Sequence, residues 1–149
     1  IAAMLLATIQ GMIFLLGASL IFRFNFSFLE LAFSFLVLLL AALGIVGLFL
    51  CTALLINEMS TFLVFSNLLG QILIWTSTVF YPSQNMPTLF RWVSLGNPLS
   101  HSTDILRAIY FSEEINISIS ISWVFLVSFA VIFGLLASRL LANRTSKLR

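Results

Sequence analysis

Charged residues are scarce in this 149-residue chain. Asp, Glu, Lys and Arg make up 8% of the residues and hydrophobic residues 61%, with a mean hydropathy of +1.16. A soluble domain carries about 25% charged residues. The chain has too few charges to cover a water-facing surface, so a soluble globular fold is excluded and lipid is the expected solvent.

Cysteine and histidine are also nearly absent. Cys51 is the single cysteine, which excludes an intrachain disulfide. His101 is the single histidine, and no group of Cys, His and carboxylates has the spacing of a metal site. We therefore expect no metal or cofactor in this chain, no catalytic site of an intramembrane enzyme, and a polar, interfacial His101.

Four uncharged runs are long enough to cross a bilayer, at about residues 1–22, 31–56, 61–80 and 122–141. About 20 apolar residues in a helix span the hydrocarbon core. A barrel is disfavoured because only residues 115–122 alternate apolar and polar side chains, and we expect that stretch to be an extended or frayed lead-in to the last helix. The sequence predicts an all-α membrane protein with four transmembrane helices.

The basic residues indicate the orientation of these helices. Four of the seven lie in the last eleven positions, at Arg139, Arg144, Lys147 and Arg149. This short tail is too small for a nucleic-acid surface, and the positive-inside rule places it in the cytoplasm. Residues 81–120 are then external. The sequence begins at Ile1, inside a hydrophobic run, so we expect that the protein has a further segment before Ile1.

Residues 81–112 are too polar to span the bilayer, and they contain several residues that typically start or end helices. Pro82 follows the third run, and Pro87 suits the first turn of a helix over residues 88–95. Gly96 is a typical C-terminal cap. Asn97 is a good N-cap and Pro98 a good first residue for a second helix ending near Phe111. Two such short helices predict an external re-entrant hairpin.

Two further groups of residues suggest contacts. Asp104 and Arg107 share a helix face, where they form either a shielded ion pair or an exposed interfacial pair. In the last span, the small residues Ala130, Gly134 and Ser138 recur every four positions and predict close helix packing. Gly44 and Gly47 suggest the same for the second span, although small residues are also simply common in membrane helices.

The polar stretch resembles the membrane permease of type-2 ATP-binding cassette (ABC) transporters. The matching strings are Phe80-Tyr81-Pro82, Met86-Pro87, Asn97-Pro98-Leu99-Ser100 and Asp104-Ile105-Leu106-Arg107. The resemblance implies that the four spans correspond to the third to sixth of six, and that the segment contacting the ATPase lies before Ile1. It also implies a bacterial-type plasma (inner) membrane, or an organelle membrane of that descent.

The resemblance further implies a permease subunit of an ATP-driven exporter for a hydrophobic or lipid-linked substrate. Its expected partners are cytoplasmic ATP-binding cassette ATPase subunits, a second permease half and membrane lipid. No phosphate-binding motif ending in Gly-Lys-Ser/Thr occurs in the chain, so ATP and Mg are expected in the partner ATPase. The alternatives are an ion-coupled secondary transporter and a structural membrane subunit without transport of its own.

Overall fold

The computed structural model is all-helical and describes residues 2–22, 27–80, 86–111 and 118–146. Its helices are α1 (Ala2–Phe22), α2 (Phe28–Leu55), α3 (Met59–Trp75), α4 (Thr88–Leu95), α5 (Pro98–Phe111) and α6 (Ile119–Ser146). The all-α prediction is confirmed for the part of the chain described. Pro82 lies outside the described residues.

Among the described residues, three helices are long and apolar enough to cross a membrane, namely α1, α2 and α6. The predicted third span is shorter than expected: α3 has 17 residues, or about 26 Å of helix, and ends at Trp75 instead of Phe80. Its end is fixed by side-chain hydroxyls that bond back to the helix, because Thr76 donates to the Ile72 carbonyl and Ser77 to the Ile74 carbonyl. Residues 76–80 form turns.

Helix α2 begins three residues before its predicted start because a capping box fixes its first turn. The Ser27 hydroxyl accepts from the Glu30 backbone N–H at 3.2 Å, and the Glu30 carboxylate accepts from the Ser27 backbone N–H at 2.8 Å. This reciprocal arrangement satisfies two N–H groups that a helix start otherwise leaves unpaired. Helix α6 likewise starts early, at Ile119, so half of the predicted lead-in is helical.

The core of the protein lies where α5 packs between α2 and α6. Val37, Ala41, Ile105 and Leu126 form one buried cluster. The α2–α6 contact is close because Gly44 and Gly47 lie against α6. A Cβ at Gly47 would come within 2.9 Å of the Phe133 carbonyl group, which is backbone and cannot rotate away.

The small-residue stripe predicted in α6 has only one member in this core. Ala130 is fully buried, and its Cα lies 3.4 Å from the position of a Cβ on Gly44. A Cβ at Gly134 would meet nothing within 4 Å, and Ser138 is exposed. The face of α6 that contacts this chain therefore follows Leu126, Ala130 and Ala137, and the other two small residues point away from it.

Candidate functional site

Polar side chains are concentrated at the end of the bundle where α3 ends and α2, α5 and α6 begin. We call this group the polar junction, and its members are Thr76, Thr78, Asn97, Ser100, His101, Asp104 and Ser122, all buried. Such a cluster is unusual in a chain this apolar, since buried polar groups need internal partners.

Asn97 connects α3 to α5. Its Oδ1 accepts from the Leu99 backbone N–H at 2.9 Å, which is the N-cap bond predicted from the sequence, and Pro98 is the first helical residue. Its Nδ2 donates to the Leu73 carbonyl at 2.6 Å and lies 3.0 Å from the Thr76 hydroxyl. One side chain therefore caps the start of α5 and also satisfies a carbonyl at the end of α3, which a helix C-terminus leaves without a partner.

The helix stop at Gly96 differs from the expected mechanism. Helix α4 does end at Leu95 with Gly96 as its C-cap, but the glycine has φ −94° and ψ 3°. This is not the left-handed conformation that favours glycine. Pro87 occupies the N-cap position of α4, one residue earlier than a first-turn proline, and its carbonyl accepts from the Arg91 N–H at 3.0 Å.

His101 is buried, so the expectation of an interfacial side chain is wrong. Its Nε2 donates to the Leu95 carbonyl at 2.9 Å, and its Nδ1 hydrogen-bonds to the Ser122 hydroxyl at 3.0 Å. The imidazole also stacks on Phe125, with ring centroids 4.1 Å apart. His101 therefore joins the end of α4 to the first turns of α6.

The predicted ion pair between Asp104 and Arg107 is not formed between these two residues. Oδ1 of Asp104 accepts from the Thr78 hydroxyl at 2.9 Å, and the Arg107 guanidinium donates to the Val79 carbonyl at 3.3 Å. The aspartate is short and turned into the bundle, whereas the longer arginine reaches the turn after α3.

Oδ2 of Asp104 is buried and has no hydrogen-bond partner among the described residues. Burial raises the pKa of this carboxyl above its ordinary value, opposed by the Thr78 hydrogen bond and by the charges of Arg107 and His101. The raised pKa favours a protonated, neutral side chain, because an unpaired carboxylate is costly away from water.

A second contact joins the C-terminal end of α5 to α2. The Tyr110 hydroxyl hydrogen-bonds to the hydroxyl of Ser34, which in turn donates to the Glu30 carbonyl at 2.8 Å. The sequence analysis missed this contact, together with Thr78, Ser100 and Ser122. The available signal for Thr78 and Ser100 was the clustering of hydroxyl residues at Thr76, Ser77 and Thr78 and at Ser100, Ser102 and Thr103, in a chain otherwise rich in aliphatic side chains.

The arrangement joins helices to one another. Among the described residues, no three His, Cys, Asp or Glu side chains lie close enough together to hold a metal ion. The long-range bonds of Asn97, His101 and Asp104 each join one helix, or its flanking turn, to another. The polar junction therefore holds α5 against α3 and α6, and the Tyr110–Ser34 bond joins it to α2.

Comparison with known proteins identifies the class. The family described as ABC-2 type transporter matches residues 1–111, which include α1 to α5 and all of the polar junction except Ser122. Searches of curated proteins and of solved structures found no significant match. The family match covers well over half of the 149 residues and confirms the resemblance seen in the sequence. The chain therefore belongs to the ABC-2 type transporter family, as a non-catalytic membrane permease domain that works with ATPase subunits in ATP-driven transport.

Proposed function

We propose that this chain forms half of the translocation path of an ATP-driven exporter, together with a second permease half and two cytoplasmic nucleotide-binding subunits. The observation that carries the proposal is the family match over α1 to α5. The three long apolar helices supply the membrane-crossing part. The proposed substrates are hydrophobic or lipid-linked molecules, such as a polysaccharide on a lipid carrier, a glycolipid or a drug.

The polar junction is proposed to lie at the external end of this path and to hold α4 and α5 as its outer gate. Its support is the dense set of hydrogen bonds from α5 to α3 and α6. These bonds are internal to the chain and hold α5 against α3 and α6.

The proposed orientation places the C-terminal tail in the cytoplasm. The Arg144 guanidinium donates to Oδ1 of Asn57 at 2.6 Å, so the end of α6 and the α2–α3 connection share one end of the bundle, opposite the polar junction. The excess of basic residues after position 138 favours the cytoplasm for that end.

Cysteine labelling tests this orientation. Ser83→Cys and Ser146→Cys, each in a Cys51→Ala background, should react with a membrane-impermeant maleimide from opposite sides of the membrane. If both cysteines react with the maleimide from the same side of the membrane, the proposed topology is wrong. The unmodified Cys51→Ala chain is the control for background labelling.

An ion-coupled transporter remains the alternative to ATP-driven export. Such proteins place ionisable residues deep within their spans. In the described part of α1, α2, α3 and α6, the charged residues are Glu30 in the first turn of α2 and Arg139 and Arg144 towards the end of α6. No charged side chain lies near the middle of these helices, which favours coupling to ATP.

Transport in reconstituted vesicles separates these functions. With the partner ATPase present, we expect export of a lipid-linked glycan, a glycolipid or a hydrophobic drug to require ATP. It should stop when the Lys of the ATPase phosphate-binding motif is replaced. Transport that follows an ion gradient and ignores ATP contradicts the proposal, and no transport of any of the three substrate classes points to a structural subunit.

A further inference from the structure

The carboxyl group of Asp104 uses only one of its two oxygens. The side chain is 4% exposed, and Oδ1 accepts from the Thr78 hydroxyl at 2.9 Å. Oδ2 is buried and has no hydrogen-bond partner among the described residues. A carboxylate has about four acceptor sites, so an ionised Asp104 would keep most of them unsatisfied away from water. The surroundings of Oδ2 therefore fit a protonated, neutral acid.

A cation is within reach of this carboxyl but is bonded elsewhere. Arg107 lies three residues further along α5, on the same face of the helix. Its guanidinium donates to the Val79 carbonyl at 3.3 Å, in an exposed contact. Because this bond is long and its acceptor is neutral, a carboxylate is the stronger acceptor for the guanidinium. Asp104 therefore has two alternative partners, Thr78 when it is neutral and Arg107 when it is charged.

The two present bonds hold the same segment. Thr78 and Val79 both belong to the turn after α3, at residues 76–80. An exchange of partners would therefore remove two bonds at once between this turn and α5. The exchange leaves no group stranded, because the Thr78 hydroxyl also lies 3.3 Å from the Ser100 carbonyl, and the Val79 carbonyl is in an exposed contact where water can replace the guanidinium.

The charges that act on Asp104 come from its own helix. Burial raises the pKa of its carboxyl, and the Thr78 hydrogen bond and the charges of Arg107 and His101 lower it. Glu30 of α2 lies at a distance from it, beside Tyr110. In the described part of the neighbouring helices, the other charged residues are Arg91 on α4, Glu58 at the start of α3, and Arg139 and Arg144 towards the end of α6.

We propose that Asp104 is a proton-binding site that controls how firmly α5 holds the turn after α3. With the proton on Oδ2, the carboxyl stays on Thr78, as in the structure. When the O–H bond breaks, the proton passes to water and the carboxylate turns to Arg107, whose guanidinium leaves the Val79 carbonyl. The start of α5 stays attached to α3 through Asn97, so the exchange loosens the turn and leaves the helix in place.

Infrared spectroscopy of the full transporter tests the proton site. A protonated carboxylic acid has a C=O stretch separate from that of a carboxylate, and the wild-type minus Asp104→Asn difference spectrum isolates this side chain. Its carboxylic-acid band should persist above the ordinary pKa of 3.8 and disappear at higher pH. Arg107→Gln should move this titration upward by about one pH unit or more, because the carboxylate loses its partner, and Arg107→Lys should restore it. Arg91→Gln, at an exposed arginine on α4, is the matched control and should leave it unchanged.

Cysteine labelling tests the release of the turn. In a Cys51→Ala background, Ser77→Cys places a thiol where the native side chain is 1% exposed, and Phe80→Cys is the control in the same turn at 56% exposed. Between about pH 4 and pH 8, the reaction of Ser77→Cys with a charged, water-soluble maleimide should increase about tenfold more than that of Phe80→Cys. This excess should disappear with Asp104→Asn, which keeps the side chain neutral at every pH.

Three results overturn the proposal. If Asp104→Asn removes no carboxylic-acid band above pH 3.8, Asp104 does not hold a proton there. If Arg107→Gln leaves the titration where it is in the wild type, the carboxylate does not move to Arg107. If Ser77→Cys and Phe80→Cys respond equally to pH with Asp104 intact, ionisation does not loosen the turn. This last comparison needs no change at Asp104, so it decides the proposal even if Asp104→Asn fails to fold.

Discussion

The double use of Asn97 leads to a prediction that separates helix capping from interhelical bonding. Asn97→Asp retains an oxygen that can accept from the Leu99 N–H, and Asp is as good an N-cap as Asn. It removes the Nδ2 donor and directs a carboxylate at the Leu73 carbonyl, which lies 2.6 Å from the native amide nitrogen. Asn97→Ala removes both functions.

The magnitudes follow from these bonds. Loss of an N-cap costs about 1 kcal/mol. The Leu73 carbonyl, left without a donor beside a residue that is 2% exposed, costs about 1–3 kcal/mol more. We therefore expect Asn97→Ala to lower the free energy of unfolding by about 2–4 kcal/mol, and Asn97→Asp by at least about 1–3 kcal/mol despite its intact cap.

Equilibrium unfolding in mixed detergent micelles measures both variants against the wild type. Thr88→Ala is the control at a helix start, because α4 begins without a side-chain cap. It should change stability little. If Asn97→Asp is as stable as the wild type, the bond to Leu73 contributes nothing to stability, and Asn97 does not hold α3 and α5 together. Insertion into the membrane should be normal in all three, since the spans are untouched.

Three more changes test the packing and charge of the bundle. Gly47→Ala should cost about 1–3 kcal/mol in unfolding experiments because its Cβ meets the Phe133 backbone at 2.9 Å, whereas Gly134→Ala, with nothing within 4 Å, should cost little. Burial holds the pKa of Asp104 above its ordinary 3.8, so the free energy of unfolding should fall as pH rises from that value to the raised pKa. Asp104→Asn should abolish this fall in thermal unfolding measured between about pH 4 and pH 8. Arg107→Ala should cost no more than about 1 kcal/mol in the same assay, because its bond is exposed; a loss of 3 kcal/mol or more contradicts this interpretation.

Local signals in the sequence were sufficient for the short helices. Gly96, Asn97 and Pro98 predicted the end of α4 and the start of α5 as the structure has them. Hydrophobic length predicted α1, α2 and α6, because a membrane-crossing helix is defined mainly by an apolar run. The early start of α2 was also predictable, since Ser27 and Glu30 have the spacing of a capping box.

The burial of particular side chains depends on partners that are distant in the chain. His101 is buried because Ser122 and Phe125 of α6 pack against it. The sequence around His101 contains no pattern that predicts this contact. Helix spacing suggested that Asp104 would pair with Arg107, but Thr78, 26 positions earlier, provides the donor instead. Periodicity identifies which residues share a face, whereas the tertiary fold decides what that face meets.

The glycine contact between α2 and α6 has a mechanical consequence. Because the backbone of α6 lies against Gly47, the two helices cannot slide past each other without a collision, and each is 28 residues, or about 42 Å, long. The hydrogen bond between His101 and Ser122 joins α5 to the same pair of helices. We therefore expect a displacement applied at Asn57 and Arg144 to be carried to the far end of the bundle by α2 and α6 together. Helix α3 has no buried residue, and Asn97 and Asp104 join only its C-terminal end to α5.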